Sequence, residues 1–181
     1  MLKPALSCTL AVLQVALPAN AAAEPSEAAG RASATIVAPL QATSLADLSF
    51  GALTVGPASG GEVSVAANGS AAAYSGTVTP ACGSAGECRP HVARFAVTGE
   101  ADRTYRVQLP AQVVASGART GQMLDVSRLS VRSLNRPAMT GRGLLDNGGR
   151  DEFWVGGVLA VPPATRPDSF RAELVVSVFY D

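Results

Sequence analysis

Residues 170–181 read FRAELVVSVFYD, with apolar side chains at Phe170, Ala172, Leu174, Val176, Val178 and Tyr180. A period of two lays all six on one face of an extended chain, the pattern of a strand buried on one side. Terminal residues fray unless a sheet ties them down, so this segment is expected to be integral to the fold. Its uniformly apolar face places it at or near the centre of a sheet.

The same period recurs upstream between turn residues. ATIVAPL (34–40) and LADLSFGAL (45–53) open the series, punctuated by Gly51 and Gly56. EVSVAA (62–67) and AAYSGTV (72–78) flank Asn68-Gly69-Ser70, and Asn-Gly between two extended runs is the strongest short hairpin signal. ARFAVTG (93–99) alternates Ala93, Phe95 and Val97, and TYRVQLP (104–110) alternates Tyr105, Val107 and Leu109. In MLDVSRLSVRSL (123–134), Leu124 and Val126 are out of phase with Leu129 and Val131, which a bulge or turn near Ser127 would repair. A Gly-rich turn at 146–149 leads into Phe153, Val155, Gly157, Leu159 and Val161 in alternation, and ATRPDS (164–169) turns the chain into the last strand. Past the N-terminal leader no stretch carries a 3.6-residue apolar period of helical length. Short strands at intervals of about ten residues predict an all-β fold, an immunoglobulin-like antiparallel β-sandwich of about eight to ten strands.

The first residues read as a leader. Lys3 supplies the positive end, residues 5–17 the apolar run, and PANAAAE (18–24) the small residues a signal peptidase recognises, with cleavage expected after Ala21 or Ala23. Cys8 lies inside the apolar run, too early for a lipid attachment site. The expected organisation is a cleaved signal peptide at 1–23, a flexible arm at 24–33 and one sandwich domain at 34–181. That predicts export to the periplasm, the cell surface or the medium. After cleavage no run reaches membrane-spanning length.

Lys3 is the only lysine, so the mature chain sets thirteen arginines against fourteen acids. Its net charge near minus one offers no basic patch for nucleic acid or anionic lipid. Cys82 and Cys88, in TPACGSAGECRPH (79–91), are an even pair in an exported chain and read as a disulfide closing a short loop, worth about 2 kcal/mol by loop entropy. Adding His91 makes three metal-ligating types, but the spacing fits no strong zinc pattern and a fourth ligand is missing. Calcium at Asp146, Asn147, Asp151 and Glu152 competes with ordinary turn chemistry, and Arg150 stands among them. No metal and no cofactor are expected.

Catalysis is not expected either. There is one histidine, no nucleophile elbow, and neither GPASGG (56–61) nor GRG (141–143) leads into a helix that would hold a phosphate. The acid pairs Glu100 with Asp102 and Asp151 with Glu152 sit in polar turns, where neighbouring carboxylates are usually solvated. Trp154, the only tryptophan, lies opposite in phase to Phe153 and Val155. It is either a platform for a sugar or the cover of a second buried face.

ATIVAPLQATSLADLSFGAL, ARFAVTGEADRTYRVQLP, FWVGGVLAVP and FRAELVVSVFYD, in that order over roughly 34–181, resemble the bacterial exported family described as domain of unknown function 4402. The family is similar to pilus and spore-coat subunits with immunoglobulin-like folds. The resemblance implies a structural or adhesive surface protein, with other exported subunits or further copies of itself as partners, and a periplasmic chaperone. Pilus subunits end in an alternating strand with a penultimate aromatic, the place of Tyr180; Asp168 stands near the position of their upstream glycine. On that pattern Phe170, Ala172, Leu174, Val176, Val178 and Tyr180 form a strand-addition surface, and Ala34, Ile36, Ala38 and Leu40 alternate as a donor strand would. Pro39 lacks an N–H, and the plainer reading, favoured here, makes 34–40 the first strand of its own domain. The expected function is therefore an exported structural or adhesive protein, a filament-type subunit using β-strand addition. The alternative is a secreted module that binds carbohydrate or a cation.

Overall fold

The computed structural model describes residues 29–81 and 88–181, and among them there is no helix. The strands are β1 (Gln41–Ala46), β2 (Leu53–Thr54), β3 (Gly61–Val65), β4 (Ala73–Gly76), β5 (Thr79–Pro80), β6 (Ala93–Thr98) and β7 (Thr104–Gln108). They continue with β8 (Val113–Gly117), β9 (Met123–Ser133), β10 (Arg142–Leu144), β11 (Arg150–Val161), β12 (Phe170–Arg171) and β13 (Ser177–Tyr180). Ten have three residues or more, as the periodicity leads one to expect, and the other three are two-residue ladders. Ile36–Asp181 forms one compact unit; the described residues before it, 29–35, are exposed and in no strand. The signal peptide at 1–23, residues 24–28 of the arm and Cys82 lie outside the described residues.

The architecture is an all-antiparallel β-sandwich built on β11. One of its edges pairs with β9, while the other pairs with β6 along Arg150–Val155 and then with β3 along Gly157–Val161. Where the partner changes, a Cβ on Gly156 would collide with the backbone of Val65 and Ala67, so only glycine lets β3 leave the sheet there. Asp151, Phe153, Val155, Gly157, Leu159 and Val161 are all buried on one face. The β9 bulge is also present: Gly156 faces Ser130 and Val158 faces Ser127, with Arg128 at φ 49°. That extra residue brings Leu129 and Val131 onto the same inner face as Leu124 and Val126.

A second sheet, in the order β10-β7-β13, lies over one half of the large one. Ala93, Val97, Val131, Phe153 and Val155 of the large sheet share one cluster with Tyr105, Val107, Val178 and Tyr180 of the small one, and the Phe95 and Phe153 rings stack at 5.1 Å. A second cluster gathers Val63, Leu124, Val126, Leu159 and Val161 on the other half of the large sheet. It is covered by no complete sheet. Leu48, Phe50, Leu53, Val55 and Phe170, from irregular or very short segments, pack against it.

Four local expectations come out differently. The hairpin around Asn68 exists, with Ser70 N–H bonded to Asn68 Oδ1 at 2.9 Å and Gly69 at φ 72°, but its strands pair only from Ser64 with Ala73 outward. The first strand starts at Gln41, so residues 34–39 join no ladder and are exposed. The C-terminal stripe is two strands, β12 and β13, separated by residues 172–176, which belong to none. Finally, β13 is an end strand whose one ladder partner is β7, not a central strand. A period of two reports which face is covered and carries no information on how many edges are paired.

Candidate strand-acceptor groove

The incomplete cover over the second cluster leaves a groove of about 1450 Å³. Its floor is Leu124, Val126, Leu159 and Val161; one wall is the stretch from β1 to β2 with Leu48 and Phe50, and the other is the C-terminal segment with Phe170 and Leu174. The floor belongs to the inner face of β9 and β11, which period-two patterning makes apolar except for Ser133 and Asp151 at the opposite end. The second layer stops short of that length, because β10 and β7 span three and five residues against eleven and twelve. The groove lies over the part of a sandwich face that the described residues cover only with irregular segments and the two-residue strands β2 and β12.

Both walls have backbone to offer. On one side Ser49 exchanges two hydrogen bonds with His91 at 2.9 Å, and Leu48 and Phe50 on either side of it belong to no strand. On the other side residues 172–176 have no ladder partner and no backbone–backbone hydrogen bond among the described residues. Side chains still alternate there, with Leu174 and Val176 half-buried against the core and Glu173 and Val175 exposed. Asp181 N–H bonds Thr104 carbonyl on β7 at 3.2 Å, so by alternation Leu174 and Val176 point their backbone groups to the edge away from β7. This is extended chain without a sheet on that edge.

Two polar anchors hold the C-terminal segment. Asp168 Oδ2 accepts hydrogen bonds from Thr120 N–H and hydroxyl, each at 2.7 Å, and from Arg119 N–H at 2.9 Å, while Oδ1 accepts Ser169 N–H at 2.8 Å. These bonds, the Thr120 hydroxyl foremost, hold the carboxyl well below the usual carboxylate range. The Asp168 side chain is fully covered. At the other end the Tyr180 hydroxyl accepts Glu100 N–H at 2.7 Å and donates to Ala38 carbonyl at 2.8 Å.

Of the six stripe residues, Phe170, Leu174, Val176, Val178 and Tyr180 are half-buried and Ala172 is exposed; Phe170, Ala172 and Leu174 line the groove. Ala34, Ile36 and Ala38 are exposed, Ile36 at 98 %, whereas Leu40 is half-buried against its own core. Cys88 lines the groove, but its pairing with Cys82 rests on a residue outside the described ones.

The residues weighed for calcium do not converge. Asp146 Oδ1 closes its own turn through Gly148 and Arg150 N–H, and Glu152 pairs with Arg94 at 2.7 and 3.1 Å. Asp151, buried, accepts the Tyr105 hydroxyl at 2.8 Å and the Ser133 hydroxyl at 2.6 Å. Burial first, then the bond to Asp151, pushes the Tyr105 phenol far above its usual range, so it stays a donor. Among the described residues no three His, Cys, Asp or Glu side chains gather as metal ligands, and no helix is long and apolar enough to cross a membrane.

Trp154 is half-buried beside a hollow of about 430 Å³ that His91 and Arg94 also line. Its Nε1 donates to Glu152 at 2.7 Å, and a Cβ on Gly69 would stand 2.6 Å from its ring. The Arg94 guanidinium holds the Glu152 carboxyl below its usual range. Sequence reasoning missed the wall residues Leu48 and Phe50. Their signal was present, since Leu48, Phe50 and Leu53 make an apolar run interrupted by Gly51.

Neither a curated protein nor a solved structure matches the chain. A family model does, and it takes in both walls of the groove and the whole of β11. Matched over residues 40–180, the chain belongs to the family described as Domain of unknown function (DUF4402).

Proposed function

We propose that this protein is an exported structural subunit of a surface assembly, joined to its neighbours by β-strand addition. One observation carries the reading: an apolar groove of about 1450 Å³ is lined by residues 172–174 of a backbone edge, residues 172–176, that has no ladder partner among the described residues. A purely apolar ligand would cover the floor and leave the amides and carbonyls of that edge unanswered, whereas an extended peptide satisfies both. The groove also exceeds the roughly 300–1,000 Å³ of small-molecule sites.

The occupant in this reading is the N-terminal segment of a second copy. Ala34 and Ile36 present alternate apolar side chains ahead of Ala38, which is held at its own subunit, and an isoleucine 98 % exposed is surface that gains by being covered. Leu40 stays in its own core and marks where the donor segment ends. The reading takes residues 1–23 as a leader removed on export, pairs Cys82 with Cys88 in the oxidising compartment, and lets a chaperone strand occupy the same edge before assembly. It requires no catalytic residue and no cofactor.

The test is an unheated and a boiled denaturing gel of the mature protein purified from the periplasm, beside size-exclusion chromatography. A ladder that collapses to monomer on boiling is expected, as is a monomer for Ile36→Asp under both conditions. Wild-type protein that is monomeric without heating, at every concentration, rejects strand addition.

A further inference from the structure

We infer that Tyr180 is a clasp that reserves the N-terminal segment for a second copy, an inference that rests on the strand-addition reading above. The hydroxyl has one proton to give, and it gives it to the Ala38 carbonyl, while its oxygen is filled by Glu100 N–H. The ring is fixed as well. The Arg103 guanidinium lies over it at 5.3 Å, and a Cβ on Gly99 would collide with the hydroxyl. Ala38 is therefore tied to the last strand of its own subunit, three residues ahead of β1.

That position decides which groove the segment can reach. Ala38 precedes the start of β1, whereas the groove begins at Ser44, near its far end. To fill its own groove the chain would have to reverse at residues 38–40 and run back along β1, a length of ~20 Å at the usual rise. The reversal falls on the carbonyl that Tyr180 holds and on Pro39, whose φ is fixed. Entry into a neighbour's groove needs no reversal. With the clasp closed, self-insertion carries the loss of the Tyr180 bond and exchange between subunits does not.

The test places a photo-crosslinking phenylalanine at position 36 in the full mature chain, in wild-type and Tyr180→Phe backgrounds. Isotope-labelled and unlabelled chains are mixed, so that mass spectrometry separates links within a chain from links between chains. Wild-type links to residues 124–129 should be between chains. Tyr180→Phe should raise the share within a chain about fivefold, the ratio that one net hydrogen bond sets. Gly99→Ala, which displaces the hydroxyl by a different atom, should shift the share the same way and covers the case in which Tyr180→Phe does not fold. An unchanged share in folded variants, judged by their thermal melts, overturns the clasp and leaves strand addition standing. Absence of links to the groove in every background removes strand addition, and the clasp with it.

Discussion

Asp151 shows how much one buried carboxylate organises. It accepts the Tyr105 and Ser133 hydroxyls on one oxygen and the Asn135 and Glu152 amides on the other, joining β7, the end of β9 and β11. Asp151→Ala would leave the protons of two buried hydroxyls without their acceptor and is expected to cost about 3 kcal/mol, read as a lower urea midpoint at unchanged slope. Asp168 acts at the other end of the chain, pinning the turn before β12 to residues 119–120. Its carboxyl titrates below its ordinary value in the folded state, so its contribution is complete above the unfolded value of about 3.9 and is lost as pH falls further. The thermal midpoint of wild type should therefore fall more steeply below about pH 4 than that of Asp168→Asn. Neither role was legible in the sequence, where Asp151 read as a turn acid and Asp168 only as the residue in place of a glycine. Partners 16 to 49 residues away supply both.

At the scale of the element, the C-terminal segment behaves as a strand that has kept its side-chain pattern without its ladder. Leu174 and Val176 pack inward, while their amides point to an edge with no described partner. An amide-to-ester replacement at Leu174, which lines the groove, is accessible by joining a synthetic C-terminal peptide; it removes that N–H and keeps the side chain. The isolated subunit should unfold at nearly the wild-type denaturant midpoint, while association with a second copy weakens about fivefold in analytical ultracentrifugation. A destabilised monomer with unchanged association would place the hydrogen bond inside the subunit. The sequence did disclose this segment's inner face, because alternation is written into consecutive residues. It could not disclose the gap at residues 172–176, because edge pairing depends on which distant strands extend that far.

At the largest scale, the unit Ile36–Asp181 is a sandwich whose two layers differ in extent. β9 and β11 continue beyond the sheet of β10, β7 and β13, and the remainder, covered only by irregular and two-residue segments, forms the groove. Buried apolar area drives folding, and an apolar groove roofed only by irregular and two-residue segments, beside an open backbone edge, favours association for the same reason. The Ile36→Asp monomer and the photo-crosslinks at position 36 address that directly. What the sequence by itself determined was the all-β class, the inner faces of the strands, the β9 bulge and the family, all of which follow from local periodicity or from the order of short motifs. Only the tertiary structure decided that the second layer is incomplete, that β13 sits at a sheet's end, and that Tyr180 holds Ala38. The reason is physical: side-chain alternation is set residue by residue along the chain. Edge pairing and layer coverage are set by the relative lengths and positions of strands far apart in it.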